Sequence, residues 1–376
     1  MKLITYIAVI LCFLPFMNSS NLSGKINSKY DFLNGDVSKM YRVKGKILHA
    51  APSGWSVKIM SLTNSYSLNA VAFISPNVGF ITEAKGALFV TRDYGENWLQ
   101  LVPNDLLDLP VSRLLVTPIS VLAIHTQQQS SLNKISQLIS STHDAGLTWE
   151  NSQIGLPHAK SKIYFCGENT WLAINDKVYL SEDNGNRWTG YDDKIANDSK
   201  RGSVVDAYCD NPKRILLLED GKVLISNEWD KWRLLVNLSF PIGGYYQVQK
   251  IKLSNKNFIS IITSTDSKEG IWGNLYYQIP KLNHWRACDL MGVKIFDSLI
   301  ISENEILIVG AMKNQSDTKE MNDNRNGVIL YSMDQGNTWE EIYRSNEVGA
   351  INAITQIDKN QYWAVGENGT VFKILR

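Results

Sequence analysis

One octapeptide occurs four times in the chain: TRDYGENW at 91–98, THDAGLTW at 142–149, SEDNGNRW at 181–188 and SMDQGNTW at 332–339. Each copy reads Ser/Thr-x-Asp-x-Gly-x-x-Trp, and a unit repeated along a sequence restricts the possible folds more than any other single feature. Short apolar runs precede the copies, as at 87–90, 178–180 and 328–330, and further runs follow, so the octapeptide reads as a hairpin turn between strands. In such a turn Asp93, Asp144, Asp183 and Asp334 can accept hydrogen bonds from the turn's own N–H groups. Gly95, Gly146, Gly185 and Gly336 can take the positive φ of the reversal, and Trp98, Trp149, Trp188 and Trp339 can wedge against the next unit. These roles are architectural and specify no activity.

Weaker copies fill the gaps. Residues 226–232 form a turn one residue short and without the glycine, 277–285 keep only the closing aromatic, and Ser53-Gly54-Trp55 reads as the tail of another unit. The closing tryptophans fall at 55, 98, 149, 188, 232, 285 and 339, with spacings of 43, 51, 39, 44, 53 and 54 residues. Seven units with several short strands each are the signature of an all-β, seven-bladed β-propeller, with six blades as the fallback. After Trp339 three strands remain, at 351–357, 362–366 and 370–375, and then the chain stops. A strand at 55–60 can supply the missing fourth and close the ring, which removes the open sheet edges.

The octapeptide resembles the Asp-box, or BNR repeat, of sialidases, sortilin-type receptors, some polysaccharide hydrolases and the photosystem II stability/assembly factor family. A second pattern lies upstream of it: Ala70-Val71-Ala72-Phe73, then Val78-Gly79-Phe80-Ile81, then Gly86-Ala87-Leu88-Phe89 in the first blade. It returns as Asn352-Ala353-Ile354-Thr355 and Gln361-Tyr362-Trp363-Ala364-Val365-Gly366-Glu367-Asn368-Gly369 in the last. This is similar to the repeat of the assembly-factor family. The resemblance covers most of 47–376 and is clean in the first and last blades. It implies an exported, non-catalytic scaffold that binds a protein client on the trans side of a membrane. The basic client-binding patch of that family is not recognisable in this sequence.

Residues 1–20 carry Lys2, an apolar run over 3–17 and then Asn18-Ser19-Ser20, the pattern of a secretory signal peptide. The run is shorter than the roughly 20 residues of a membrane-spanning helix. Leu11, immediately before Cys12, is larger than a lipoprotein signal accepts. Residues 21–46 read as a polar N-terminal extension and 47–376 as the propeller. The expected location is therefore the periplasm or the exterior, or a lumen if the host is photosynthetic. Export leaves Cys166, Cys209 and Cys288. Aligning 163–166 with 206–209 sets Cys166 and Cys209 at the same strand position in adjacent blades; two buried free thiols are the expected state, with a disulfide as the alternative. N-glycosylation sequons begin at Asn197, Asn237, Asn314 and Asn368, among others, although the richness in Ile, Lys and Asn favours a bacterial reading.

With 38 basic and 37 acidic residues, and no basic stripe with interleaved aromatics, a nucleic-acid partner is not expected. No Cys-x-x-Cys or paired-histidine spacing points to a metal, and no cofactor motif occurs. A sialidase needs three arginines converging on a carboxylate. Arg42 lacks the proline of the corresponding motif, Arg92, Arg187, Arg233 and Arg286 belong to turns or outer strands, and Arg113, Arg201, Arg214, Arg325 and Arg344 remain. Other glycosidases need two carboxyls at a set separation, which one sequence does not reveal. No catalytic residue is assigned; a sialidase-like or other glycoside hydrolase is the alternative, and an exported inhibitor or immunity protein a third.

The second-to-third strand connection of each blade lies on the pole opposite the octapeptides. It is tight at 83–86, 175–177, 219–222 and 367–370 and long at 126–134, 264–274 and 311–327, and long loops carry function disproportionately. The expected binding pole thus includes Trp272 as a loop anchor, with Lys313, Lys319 and Arg325. The expected partner is a protein, with a membrane-protein client one possibility, and the chain is expected to be a monomer.

Overall fold

The computed structural model describes residues 40–376 apart from 49–53, 63–65, 102–110, 117–120, 130–133, 155–160, 168–169, 175–176, 184, 192–202, 211, 230, 239–244, 255–257, 268–269, 280–283 and 314–324. The signal-peptide reading falls on residues outside this set. The described elements begin with three strands, β1 (Met40–Lys44), β2 (Lys46–Leu48) and β3 (Ser56–Ser61). Blade 1 follows as β4 (Leu68–Ser75), β5 (Val78–Glu83), β6 (Leu88–Thr91) and β7 (Leu99–Gln100). Blade 2 is β8 (Val111–Val116), β9 (Val121–Gln129), β10 (Lys134–Thr142) and β11 (Glu150–Ile154). Blade 3 is β12 (Lys162–Phe165), β13 (Trp171–Ile174), β14 (Val178–Ser181) and β15 (Thr189–Gly190). Blade 4 is β16 (Val204–Asp210), β17 (Lys213–Leu218), β18 (Lys222–Ser226) and β19 (Arg233–Asn237). Blade 5 is β20 (Tyr245–Ser254), β21 (Phe258–Ser267), β22 (Gly270–Ile279) and β23 (His284–Met291). Blade 6 is β24 (Val293–Ile300), β25 (Ile306–Lys313), β26 (Arg325–Ser332) and β27 (Thr338–Ser345). Blade 7 is β28 (Ile351–Gln356), β29 (Gln361–Gly366), β30 (Thr370–Leu375) and, from the other end of the sequence, β3.

Seven sheets rule out the six-bladed fallback. The ring closes through β3, antiparallel to β30 from Ser56 opposite Leu375 to Ser61 opposite Thr370. Two further strands from the N-terminal extension were not expected. β1 adds parallel to β23, the outer strand of blade 5, and β2 adds parallel to β27, the outer strand of blade 6. Strands β1, β2 and β3 therefore lie on the rims of three successive blades, as a strap. Its turning point is Gly45, whose N–H donates to Asp289 O at 3.0 Å, while the N–H of Lys46 donates to Asn337 O at 2.9 Å. A Cβ at Gly45 would lie 2.6 Å from Leu290 Cδ2 and 2.7 Å from Trp339 Nε1, so only glycine lets the strap cross the joint this closely.

The core lies between blades. Seven hydrophobic clusters of described residues sit one at each joint, and each contains one of the seven closing tryptophans. Trp339 of blade 6 packs with Leu275, Tyr277 and Leu290 of blade 5, and Trp98 of blade 1 packs with Trp363 of blade 7 at 6.0 Å between ring centroids. The wedge therefore points to the preceding blade, a correction to the expected direction. Its cause is the turn beside it. A Cβ at Gly95 would lie 2.3 Å from Trp363, and one at Gly336 would lie 2.2 Å from Cys288 Sγ, so the turn itself leans on the preceding blade. These glycines also have φ of +79° and +84°.

Within each full turn the bonding is uniform. The Ser or Thr hydroxyl accepts from the glycine N–H at 2.8–2.9 Å and donates to the Asp carboxylate at 2.8–3.0 Å. The same carboxylates accept the N–H of Asn97, Thr148, Arg187 and Thr338 at 2.8–2.9 Å. The shortened turn at blade 4 substitutes Ser226, whose hydroxyl accepts the N–H of Glu228 at 3.0 Å and donates to Lys231 O at 2.8 Å. Cys166 and Cys209 are bonded to each other, with Cα atoms 4.8 Å apart, and join the end of β12 in blade 3 to β16 in blade 4, which corrects the expectation of two free thiols. Cys288 is free and buried, and burial pushes its thiol up to about 12.

Candidate functional site

Every blade is an antiparallel meander, so the β9–β10, β21–β22 and β25–β26 connections share the pole away from the octapeptide turns. Two of the three expected loops are strands instead. In blade 2 the ladder continues to Gln129 opposite Lys134, and in blade 5 to Ser267 opposite Gly270. Much of each polar run expected as a loop is thus the end of a long paired strand, because a paired backbone accepts polar side chains. In blade 6 the ladder ends with Lys313 opposite Arg325, and Lys319 lies outside the described residues.

Trp272 is correspondingly not a loop residue. It sits in β22 opposite Thr265 on one side and Met291 on the other, half-buried, with Lys44 Nζ of the strap 5.7 Å from its ring centroid. Below it Arg42 donates to both oxygens of the buried Asp289, at 2.7 and 2.6 Å, and to Tyr276 Oη at 3.2 Å. Asn274 Nδ2 donates to the same carboxylate at 2.7 Å and its Oδ1 accepts from Thr263 at 3.3 Å. This network ties the strap to three strands of blade 5.

The axis of the ring is lined by the inner strands, and six of the seven carry a bulge that re-aims one side chain. The residues after the bulges act across joints. Asp206 of blade 4 accepts the N–H of Ile251 of blade 5 at 2.9 Å and the hydroxyl of Tyr164 of blade 3. Asp297 of blade 6 accepts the N–H of Ile354 of blade 7 at 3.1 Å, and Lys250 and Lys252 of blade 5 at 3.1 Å each. Lys252 also donates to Ile354 O at 2.9 Å, and Asn352 of blade 7 donates to Leu68 O of blade 1 at 2.9 Å. Burial pushes the Asp297 carboxyl up, but the two ammoniums and the Ile354 N–H outweigh it and hold the group below its ordinary range. The axial acids are thus fasteners between blades. Sequence reasoning passed over them because a bulge leaves no residue signature.

Among the described residues the arginine side chains do not assemble a carboxylate clamp. Arg42 is on the rim. Arg214 lies 3.9 Å from the Trp229 ring centroid and donates to Pro212 O and Asn227 O, and Arg344 pairs with Glu341 at 3.6 Å. Arg201 lies outside the described residues, and for Arg113 and Arg325 only the backbone is described. A glycosidase acid needs a raised carboxyl pKa. Every described carboxylate with a resolved shift is lowered instead: Asp93, Glu96, Asp144, Asp183, Asp297, Glu305 and Asp334. For Asp144 the Thr148 hydroxyl and N–H bring it to about 2. Among the described residues no three His, Cys, Asp or Glu side chains gather as metal ligands.

No protein-family model matches the chain, and no curated protein matches it either. Solved structures do. A structure of YCF48 bound to D1 peptide is 15% identical, with a TM-score of 0.57 over 87% of this chain and 99% of that one. YCF48 from Cyanidioschyzon merolae is 18% identical, with a TM-score of 0.56 over 85% and 98%. The GH74 enzyme of Niastella koreensis is 11% identical, with a TM-score of 0.58 over 83% of this chain and 53% of that enzyme. At such identities the likeness is one of fold, and the fold it supports is the seven-bladed β-propeller.

Proposed function

We propose that this chain is an exported, non-catalytic Asp-box propeller that binds a protein client through the pole opposite the octapeptide turns. The observation carrying this reading is the set of long strand pairs in blades 2, 5 and 6, which extend toward one pole while the axial acids Asp206 and Asp297 are engaged in fastening blades. Hairpins on a rigid ring present a surface without costing the ring its closure. A propeller of similar fold and nearly equal length has been seen with a peptide bound, which supports the same use here. The exported state draws on the signal-like residues 1–20 and agrees with the Cys166–Cys209 bond, since disulfides persist in oxidising compartments.

The test is to capture the tagged mature protein from native envelope and compare it with a chain whose 311–327 segment is cut to a tight turn. A client that co-purifies with the first and not the second supports the reading; no client from either counts against it. The fold shared with a GH74 enzyme keeps glycoside hydrolysis as the second reading. Turnover of a polysaccharide by the purified protein would establish that reading over this one.

A further inference from the structure

Blade 5 is built taller than blade 4. Its four strands have ten, ten, ten and eight residues, against seven, six, five and five in blade 4. Alternation along β22 sends Leu275 and Tyr277 to the joint with blade 6 and Tyr276 to the joint with blade 4. Trp272 shares the face of Tyr276, as does Met291, its cross-strand partner. At the level of Tyr276 and Trp285 that face is fully covered by blade 4, with both residues 0% exposed. At the level of Trp272, roughly 13 Å further along the strand at 3.3 Å per residue, Met291 is 54% exposed. The strap lays Lys44 on the same face, exposed and against the indole of Trp272. Among the described residues no carboxylate pairs with the Lys44 ammonium, because Asp289, opposite it in register, is already taken by Arg42 and Asn274.

We propose that the ledge formed by Trp272, Met291 and Lys44 takes an extended segment of a partner protein in which a large apolar side chain stands beside a carboxylate. The apolar group packs between the thioether and the indole, where a methionine adapts its shape to the guest and a tryptophan supplies a large rigid surface. The carboxylate pairs with Lys44, which has no counter-ion among the described residues. The ledge is one cross-strand pair wide and open to solvent, which fits one side chain and its neighbour on an extended backbone. This inference rests on the client-binding reading and moves the contact from the 311–327 connection to the strap side of blade 5.

The experiment selects phage-displayed random dodecapeptides on the intact mature protein, then measures synthetic copies of the enriched peptides against three variants. These are Met291→Asp, Lys44→Glu and the chain with 311–327 shortened. The expected result is enrichment of an aromatic or aliphatic residue next to Asp or Glu. Binding is expected to weaken about tenfold or more in each point variant, the scale of an interface hot spot, and to persist in the shortened chain. Peptides that bind all three variants equally, or that show no acidic residue, overturn the ledge. Peptides lost only on shortening 311–327 overturn the ledge and leave the client-binding reading standing, whereas no enrichment on the intact chain counts against both. Both point variants replace exposed side chains, and unchanged thermal melting verifies the fold. Should Met291→Asp alter it, Met291→Ser carries the same comparison.

Discussion

The joint between blades 5 and 6 and the joint between blades 2 and 3 solve one packing problem with very different means. The first buries sixteen described residues, from Phe258 to Trp339, against long strands and is covered at the rim by the strap. At the second, Ile124, Ile139, Ile163 and Trp171 pack together among the described residues, and blade 3 is made of strands of four, four, four and two residues. Long outer strands such as β23 and β27 would be exposed edges able to pair with other chains, so they are covered; a two-residue edge such as β15 needs no cover. The short-stranded blade 3 is bound to blade 4 by the disulfide. The strap thus covers the blades with the longest outer strands, and the disulfide fastens a blade whose outer strand has two residues.

The largest expected effect tests the strong joint. Arg42→Ala leaves Asp289, only 5% exposed, without its cation, and removing one partner of a buried pair costs about 3–5 kcal/mol. A denaturant midpoint that barely moves would mean the strap is an ornament on a joint that holds without it. Next, Cys166→Ser with Cys209→Ser should cost about 2–4 kcal/mol, as expected for a loop of this order. Amide exchange should rise first in blade 3 and last in blades 5 and 6; uniform loss of protection across the ring would erase the distinction drawn between the joints.

A third pair of variants compares the same turn position at two joints. At Gly336 an added Cβ meets Cys288 Sγ at 2.2 Å, whereas at Gly146 it meets Phe80 at 3.1 Å, and both glycines have positive φ. Gly146→Ala should therefore cost about 1 kcal/mol from backbone strain and Gly336→Ala about 1–3 kcal/mol more from overpacking. Equal melting temperatures for the two would show that the blades relax independently of packing. The smallest effect is that of pH. Asp144 lies at about 2 in the folded protein against 3.8 unfolded, so its contribution is present above about pH 4 and is lost as the pH falls through about 2. Thermal melting should decline across that interval less steeply in Asp144→Asn than in the parent, and parallel profiles would count against the carboxylate's part in the turn.

Much of the architecture was readable in residues. The glycine and aspartate of each octapeptide are dictated by the turn itself, and the tryptophan spacing counts the blades because each blade needs one aromatic at its joint. Strand β3 was readable too, since a blade short of one strand implies a donor. The long strand pairs of blades 2 and 5 read as loops in the sequence because polar composition marks solvent exposure and is indifferent to whether the backbone is paired. The strap left no mark, because Met40-Tyr41-Arg42-Val43-Lys44 shows strand alternation too short to distinguish from its polar surroundings.

Local chemistry, then, is what the sequence determined by itself: turn residues with positive φ, apolar runs with a period of two, and a repeat that must close on itself. Tertiary structure alone decided which groups meet. The Arg42–Asp289 pair spans 247 positions and the Lys252–Asp297 bond joins inner strands of different blades, and neither has a neighbour in sequence that requires it. The physical reason is that a turn is stabilised by atoms within a few residues of each other, whereas a joint is stabilised by whichever side chains ring closure brings face to face.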